Sequence, residues 1–571
     1  MALVVGSSKG SRTERTPAVV VQQMYDAAYS SRSNFQGRWQ RISEYGLANR
    51  DFTTISPTQG RSRQRKVYST TFQEAHEQYI SAIQALMIPE GANWESLEPP
   101  PGHELMDRID VKQHYEMVSR VQMASYNNPA GGFYRASGSF IFDYGGFGNG
   151  GALFIDWNEE DDCVQWTTWP LQQTFYITDS KRKVIGFIRR HEYTPAQAVD
   201  AFGEDMLHND VKVRAADPNQ ASRHSADCIY YECIHPADRG AFKGIKSDGG
   251  HPWISVVVGA KEKALVRPIQ GFWEQPIVAI RHTLNAGEDY GRGPGDRALP
   301  DQRNSNVMFK DMLDRAQLDL RPPMAIPHRG LMSPVRQFPG GQTVYQPSMF
   351  TGSVPPIFPI QPPPSTGLSL EMFNLVLNQI KQAFLWDLLQ PFDERYMSAT
   401  QILELAARTT QLLGPNFSAM RVDWFLPQSA RVYGLNKRHG KLPATPPWLR
   451  NMPVHVTHKN PAMAAQMAPE VNQVIAFAQW LNEQAAAMGG NTDIYDPYNM
   501  DEMSYVVAEG LQMPARIYET IAVRDQKRQA KNEAAEAQAE MDQFATVAES
   551  AGKAAPALKV LQGGAGGAQA A

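Results

Sequence analysis

The amino-acid sequence predicts an α+β fold, because helical and strand-like patterns occupy separate stretches of the chain instead of alternating. Apolar residues recur at helical spacing within residues 17–126. Short segments rich in β-branched and aromatic residues, separated by turn residues, follow within 139–282. Helical patterns return after residue 300 and continue to 548.

Composition limits the function classes. The chain has 571 residues, which allows three or four domains of about 150 residues each. A hydrophobic share of 42% permits packed cores, and a net charge of −4 argues against tight non-specific binding of nucleic acid. Three cysteines cannot build a disulfide framework and suit a reducing compartment. The sequence has no run of 18 apolar residues, so no membrane span is expected. The first ten residues do not have the pattern of a signal peptide.

The first half of the chain is predicted to hold three helices followed by a β-rich region. Residues 1–16 form a loose arm, and helices are expected within 17–52, 69–86 and 107–126. One further helix is expected at Pro195–Phe202. The predicted strands are Ser139–Tyr144, Ala152–Trp157, Gln165–Trp169, Thr174–Thr178, Val184–Tyr193, Ile229–His235, Trp253–Gly259 and Pro276–His282.

Two predicted helices flank a proline-rich insert. Asp301–Asp319 and Leu370–Leu389 have helical apolar spacing, and residues 322–364 between them hold 12 prolines in 43 positions. No Asp, Glu or Lys occurs between Asp319 and Glu371. Because a structureless loop of this length is unusual inside a domain, we expect a small subdomain of extended segments carried on a helical hairpin. A simple linker is the alternative.

The remaining chain is predicted to be mostly helical. Gln390–Met397 is a polar loop, and a capping box at Ser398–Gln401 opens a long helix that is kinked at Gly414-Pro415 and ends near Gly434. Later segments comprise a linker with an edge strand around 443–453, helices at 467–488 and 515–548, and a disordered Gly/Ala tail at 552–571.

Motifs that could carry catalysis are better explained structurally. Gly146–Gly151 has dinucleotide-loop spacing, but a strand follows it where a helix is needed, so a glycine-rich hairpin is expected. Gly6–Gly10 has the spacing of a nucleophile elbow but lies in the N-terminal arm. Cys228 and Cys233 are expected to be buried small residues, and His455 and His458 are expected to lie in a linker, and neither pair to form a metal site. Glu159–Asp162 is expected to be a solvated turn and not a cation site. We therefore predict no catalytic, cofactor or metal-binding residue.

The order of several short motifs resembles that of a known family. The matching residues are Trp39 with Ala48-Asn49-Arg50, Ser69-Thr70-Thr71 with Ala75, Pro89 and Trp94, Arg281 with Asp289–Pro294 and Ala298–Asp301, and Ser398–Ile402 with Leu413-Gly414-Pro415 and Pro427. Over roughly residues 20–460 the sequence resembles the portal proteins, or head-to-tail connectors, of short-tailed double-stranded DNA bacteriophages. The block Tyr290–Pro294 is its most distinctive part.

The resemblance implies a ring subunit with a mixed α/β wing, a helical-hairpin stem, a small β-rich clip and an α-helical C-terminal crown. It implies the following organisation: arm 1–16, wing 17–296, stem helices 297–321 and 366–389, clip 322–365, tunnel loop 390–397, long kinked wing helix and return 398–460, crown 461–551 and tail 552–571. Such a protein is not an enzyme and needs no cofactor. It forms a twelve-fold ring at the portal vertex of the virion after assembly in the bacterial cytoplasm.

The resemblance also implies partners and contact residues. The partners are double-stranded DNA, the terminase large subunit, a tail adaptor protein, and the major capsid and scaffolding proteins, with no membrane. The residues expected to line the DNA channel are Gln390, Phe392, Asp393, Glu394, Arg395, Tyr396 and Lys381. The residues expected to dock partners are Met349, Phe350, Ile357 and Phe358. The alternative function is that of an internal or tail-tube virion protein without a DNA channel. The alternative for residues 390–397 is a plain surface turn in place of a tunnel loop.

Overall fold

The structure is a computed structural model in which part of the chain is described. The described residues are 16–47, 67–99, 108–223, 228–247, 249–326, 331–335, 344, 346, 357–360, 368–388, 414, 418–449, 454–458, 461–487, 495, 497–510, 513, 523–538, 541 and 543. They divide into two compact units. The first is drawn from residues 1–94, 121–442 and 459–466, and the second from 95–120, 443–458 and 467–571. Helices and sheets occupy separate stretches, so the α+β fold class is confirmed.

The first unit opens with helices that follow the predicted apolar pattern. Helix α1 covers Pro17–Tyr45, and α2 covers Thr71–Met87. Pro17 occupies the first position of α1, where the missing N–H of proline costs no hydrogen bond, because the first N–H groups of a helix have no partner within it. Helix α3, Ile109–Asn127, begins in the second unit and ends in the first, close to its predicted bounds. The three helices predicted before residue 127 are therefore confirmed.

The strand predicted at Ser139–Tyr144 is wrong, because this segment belongs to helix α4, Phe133–Phe147. Phe140, Ile141 and Tyr144 share one buried helical face, whereas alternation would have placed Phe140 and Ile141 on opposite sides. The helix ends at Gly148, whose φ of 76° is a left-handed cap. The glycine-rich hairpin predicted at 146–151 is thus a helix terminus.

Two antiparallel sheets follow α4, and most of the predicted strands are confirmed. The first is β3-β2-β9, built from Ala152–Asn158 (β2), Cys163–Trp169 (β3) and Ile277–Val278 (β9). The second has the order β4-β5-β6-β7-β8. Its strands are Thr174–Thr178 (β4), Val184–Glu192 (β5), Ile229–Pro236 (β6), Trp253–Gly259 (β7) and Gln270–Phe272 (β8). Only two residues of the strand predicted at Pro276–His282 are in a ladder.

Short helices lie between β5 and β6. Helix α5 covers Pro195–Phe202 as predicted, and a capping box between Thr194 and Gln197 begins it. Helix α6, Asn209–Ala216, was not predicted because its sequence lacks a strong apolar face.

A helical hairpin is the next feature of the first unit. Helix α7 covers Pro294–Leu320 and α8 covers Leu368–Ala383. The sequence predicted that α7 starts after Pro300, since proline usually ends a helix. In the structure Pro300 lies within the second turn of α7. Met324–Ala325 (β10) and Phe358–Pro359 (β11) pair antiparallel beyond the hairpin. A π-helical turn at Arg421–Phe425 then leads into α9, Leu426–Arg438.

The second unit contains a small ladder and further helices. Glu95–Glu98 (β1) pairs antiparallel with His455–His458 (β12). This strand lies just after the range 443–453 in which the sequence placed an edge strand, and residues 443–449 contain none. Helix α10 covers Pro461–Ala487, and α11 covers Met500–Gly510. Residues 523–538 are helical, within the predicted 515–548. Within the described portion of the chain, no helix combines the length and apolar character needed to cross a membrane.

Candidate functional site

The structure describes three of the eleven residues predicted to contact DNA or partners. Lys381, Ile357 and Phe358 are among the described residues. The remaining predicted residues lie outside the described residues: Gln390, Phe392, Asp393, Glu394, Arg395, Tyr396, Met349 and Phe350. The helical hairpin α7–α8, which connects these segments, is therefore the candidate site that the structure can describe.

One face of the hairpin packs into the core of the first unit. Phe373, Ile380 and Phe384 on α8 or just after it are buried, and we call them the inner face. The Phe384 ring meets Phe72 of α2 edge to face at 5.0 Å between centroids. The ring of Phe373 lies 5.9 Å from Phe309 of α7. The inner face thus fixes α8 against both α7 and α2.

A second set of apolar residues on the hairpin is exposed among the residues that the structure describes. Val307 and Leu318 on α7 are 59% and 44% exposed, and Met372 and Leu375 on α8 are 55% and 58% exposed. We call these four residues the outer set. Their spacings of eleven and three residues keep each pair on one side of its helix. Single exposed apolar residues are common, but a repeated set on one hairpin indicates an interaction surface.

The distinctive block Tyr290–Pro294 fixes the start of α7. Tyr290 is buried, its ring stacks on Tyr176 at 4.9 Å, and its hydroxyl accepts the Tyr176 backbone N–H at 3.2 Å. The side chain of Asn149 accepts the Gly291 N–H at 2.8 Å and donates to the Gly291 carbonyl at 3.0 Å. Trp39 packs edge-on against Tyr290 at 5.3 Å and donates to the carbonyl of Phe147.

Glycines in this block permit direct contact between backbones. A Cβ on Gly293 would lie 2.8 Å from Gly148 Cα, and one on Gly295 would lie 2.1 Å from Gly146 O. Both distances are far shorter than the 3.4 Å at which ordinary contact begins. The end of α4 and the start of α7 therefore touch without intervening side chains.

Polar side chains on α7 hold the neighbouring helices. Gln302 is buried and donates to the carbonyls of Tyr45 and Ser69, each at 3.0 Å. Asn306 Oδ1 accepts the backbone N–H groups of Tyr68 and Ser69 at 2.9 and 3.0 Å. These bonds join α7 to the end of α1 and the start of α2, so the hairpin leaves the unit from a rigid base.

The first turn of α7 contains a carboxyl group with a perturbed pKa. Asp296 is largely buried, with Arg38 Nε of α1 3.5 Å away. Burial disfavours the ionised form and raises the pKa of Asp296 to about 6, although Arg38 and Arg292 act in the opposite direction. This group therefore titrates closer to neutral pH than an ordinary aspartate.

Lys381 lies near the end of α8. Its ammonium group is 5.1 Å from the centroid of the Trp386 ring, which is a cation–π distance. Between them Leu385 has a φ of 57°, a left-handed conformation that turns the chain out of the helix. The contact with DNA predicted for Lys381 stays a prediction.

The β10–β11 ladder presents apolar side chains at the base of the proline-rich insert. Phe358 pairs with Ala325 and is 43% exposed, whereas Ile357 is half-buried. Ile326 and Ile360 are also exposed. Docking of partners by Ile357 and Phe358 stays a prediction.

The other motifs singled out in the sequence have structural roles. Cys228 and Cys233 are buried as expected, and Glu159–Asp162 form the exposed turn between β2 and β3. His455 and His458 lie on β12. Among the described residues no three His, Cys, Asp or Glu side chains converge in a way that could hold a metal ion.

A buried charge network lies within the five-stranded sheet. Glu232 accepts hydrogen bonds from His191 at 2.9 Å, Ser255 at 2.8 Å and Arg267 at 2.9 Å. Although burial opposes ionisation, these bonds lower the pKa of Glu232 to about 2. Burial lowers the pKa of His191, although its contact with Glu232 acts in the opposite direction, and the Tyr193 hydroxyl lies 2.8 Å from His191 Nδ1. The network satisfies polar groups inside the sheet.

Sequence reasoning singled out Trp39 and Tyr290–Pro294 but missed Asn149, Gln302 and Asn306, which also anchor the hairpin. Asn149 lies inside the glycine-rich segment and contacts a residue 142 positions away. The outer set was not singled out in the sequence. The only local signal was the density of glycines at 145–151 and 291–295, which indicates close backbone approach.

Comparison with known proteins gives one family and several solved structures. A sequence model of the family described as bacteriophage head to tail connecting protein matches residues 20–518. No curated protein sequence matches the chain.

Solved structures that resemble the chain include chains of gene transfer agent (GTA) particles. A chain in the virion of the native GTA particle is 14% identical, with 80% of this chain and 98% of that chain covered and a TM-score of 0.34. A chain in the neck of the empty particle, computed with C6 symmetry, is 13% identical, with 76% and 94% covered and a TM-score of 0.33. A chain in the neck of the native particle, computed with C12 symmetry, is 14% identical, with 76% and 94% covered and a TM-score of 0.32. TM-scores of this size do not establish a shared fold.

Proposed function

The chain belongs to the bacteriophage head-to-tail connecting proteins, and on that premise we propose that it is a portal subunit. Twelve copies form a closed ring at one vertex of the capsid. The ring is the channel for genome packaging and ejection, the dock for the terminase motor, and the connector between head and tail. It acts as a structural part of the virion and not as an enzyme.

The outer set of the helical hairpin is the observation that carries this proposal. Burying a large apolar side chain completely stabilises a contact by about 1.5–3 kcal/mol. In a ring, each hairpin has a neighbour on both sides, so the exposed residues of α7 and α8 can be covered by the adjacent copies. We assign α7 and α8 to the stem of the portal.

The dimensions of the hairpin suit a DNA conduit. Helix α7 has 27 residues, which corresponds to about 40 Å of length. Twelve helices of about 10 Å diameter, side by side, give a circumference of about 120 Å and a ring about 38 Å across, with room for a duplex. Helix α8 and the turn after it contain few charged residues: Glu371, Lys381 and Asp387.

Low charge on α8 matters because DNA carries a phosphate charge every ~1.7 Å of its axis. Each basic contact adds affinity, so a strongly basic lining would hold the passing duplex. In the proposal, the loop Gln390–Met397 faces the narrowest part of the channel, and the clip at 322–365 docks the terminase and the tail adaptor.

The test combines assembly with electron microscopy. The variant Met372→Ser/Leu375→Ser removes two apolar side chains of the outer set and leaves the inner face intact. Its control, Asn378→Ser/Gln379→Ser, changes two exposed polar residues of the same helix. We expect wild type and control to form rings with an axial hole, and the outer-set variant to shift toward monomers that retain the far-ultraviolet circular dichroism spectrum of wild type.

Two results would contradict the proposal. A wild-type monomer of 63.7 kDa at high concentration in mild buffer would exclude the ring. Particles without an axial hole, or open tubes, would favour an internal or tail-tube protein. Mass photometry and class averages from negative-stain images distinguish these outcomes.

A further inference from the structure

The turn between β4 and β5 presents a basic surface. Lys181, Arg182 and Lys183 are exposed and consecutive, and we call them the basic turn. Asp179 Oδ1 organises it by accepting the backbone N–H groups of Lys181 and Lys183 at 2.8 and 2.9 Å. Arg182 pairs with Asp289 at 2.7 Å. Neither lysine forms a salt bridge with a residue that the structure describes.

The turn between β2 and β3 presents the opposite charge. Glu159–Asp162 are four exposed carboxylates in succession, and we call them the acidic turn. Asn158 organises it by accepting the Glu160 N–H at 3.0 Å and by donating to Asp161 Oδ2 at 2.8 Å. Asp162 pairs with Lys441. Glu159 and Glu160 have no salt-bridge partner among the described residues.

The basic turn lies beside the start of the helical segment 421–438. Arg281 connects the two, because its Nη1 donates to the Arg182 carbonyl at 2.8 Å and its Nη2 lies 3.8 Å from Asp423 Oδ2. Lys183 is close enough to Asp423 to lower the pKa of that carboxyl, against the larger effect of burial.

The acidic turn lies at the other end of this segment. Trp157, at the end of β2, stacks on His439 with ring centroids 3.8 Å apart and planes 7° from parallel. Lys441, two residues further, holds Asp162. The 18 residues between these ends correspond to about 27 Å of helix. One subunit therefore carries opposite charges on two well-separated surfaces.

We propose that the acidic turn of one copy docks against the basic turn of the next copy in the ring. This inference rests on the proposed ring. A closed ring requires head-to-tail contacts, in which two different surfaces of each subunit meet. The exposed outer set of the helical hairpin independently indicates that a second copy packs alongside. Two turns that hydrogen bonds already organise lose little entropy on docking, and complementary charge selects the register of the neighbours.

The experiment is a charge swap on the full chain. The acidic-turn variant is Glu159→Lys/Glu160→Lys, the basic-turn variant is Lys181→Glu/Lys183→Glu, and the quadruple variant combines them. Among the described residues these four side chains form no salt bridge that the changes would break. The control Glu204→Lys/Asp205→Lys alters the net charge by the same amount as the acidic-turn variant, on exposed residues elsewhere.

We expect each double variant to raise the protein concentration for half-maximal ring assembly by about fivefold at low salt. The quadruple variant should return it to within about twofold of wild type, and the control should not change it. Added salt should reduce the difference between wild type and the double variants, because it screens exposed charges. An unchanged far-ultraviolet circular dichroism spectrum shows that the variants remain folded.

The outcomes separate this inference from the ring itself. Rings that assemble equally well in all variants would overturn the contact and leave the proposed function intact. A defect of the basic-turn variant that the quadruple variant does not repair would assign the basic turn to another partner, such as DNA, and would also overturn the contact. Absence of rings in wild type would overturn both.

Discussion

Replacement of Gly295 by alanine tests whether close backbone contact fixes the start of α7. In this variant the new Cβ would lie 2.1 Å from Gly146 O and 3.0 Å from Gly146 C. Both neighbours are backbone atoms, so no side chain can rotate away. To reach ordinary contact, α7 must move from α4 by about 1 Å, as the 3.4 Å contact limit requires.

The expected cost follows from two opposing effects. Alanine gains at most about 1 kcal/mol over glycine in a helix. Overpacking of a dense interior costs about 1–3 kcal/mol, and here the displacement also strains the Asn149–Gly291 hydrogen bonds. We expect Gly295→Ala to lower the free energy of unfolding by about 2 kcal/mol and Tm by about 2 °C, since the unit is large.

Gly37→Ala is the matched control, because Gly37 lies within helix α1 and a Cβ there would have no atom within 4 Å. It should stabilise the protein slightly or leave it unchanged. Thermal unfolding followed by circular dichroism compares the two variants under identical conditions. An equal or higher Tm for Gly295→Ala would refute the packing argument.

Three further outcomes are expected. Asp296→Asn should flatten the pH dependence of Tm. Because the pKa of Asp296 is raised to about 6, wild type loses about 1 kcal/mol of stability from this group as pH rises from 5 to 7.5. A wild-type Tm that instead rises relative to that of the variant over this range would contradict the assignment. Asp393→Lys/Glu394→Lys should leave ring assembly intact but slow DNA packaging or ejection, with relief at higher salt, and wild-type behaviour at low salt would indicate a plain surface turn. Replacement of residues 322–364 by a Gly/Ser linker should abolish terminase or tail attachment, and normal packaging would exclude a docking role.

Local pattern was sufficient for most elements of the fold. Thr174–Thr178, Trp253–Gly259 and Pro195–Phe202 have the predicted bounds, because alternation, β-branched content and a capping box are all local properties. Ser139–Tyr144 was misjudged since a short apolar run fits either period. Only its burial as one helical face, with Phe140 and Tyr144 on the same side, decided for the helix.

The candidate site needed the tertiary structure. The sequence by itself determined that α7 and α8 are amphipathic and enclose a neutral, proline-rich insert. It could not show that Phe373 faces the core while Met372 and Leu375 remain uncovered, because helical period identifies apolar positions and not the elements that cover them. The sequence also could not predict the hydrogen bonds between Asn149 and Gly291, since these residues are 142 positions apart in the chain. Contacts of that range depend on how the whole chain packs, and this packing gives the hairpin its rigid base and its exposed side.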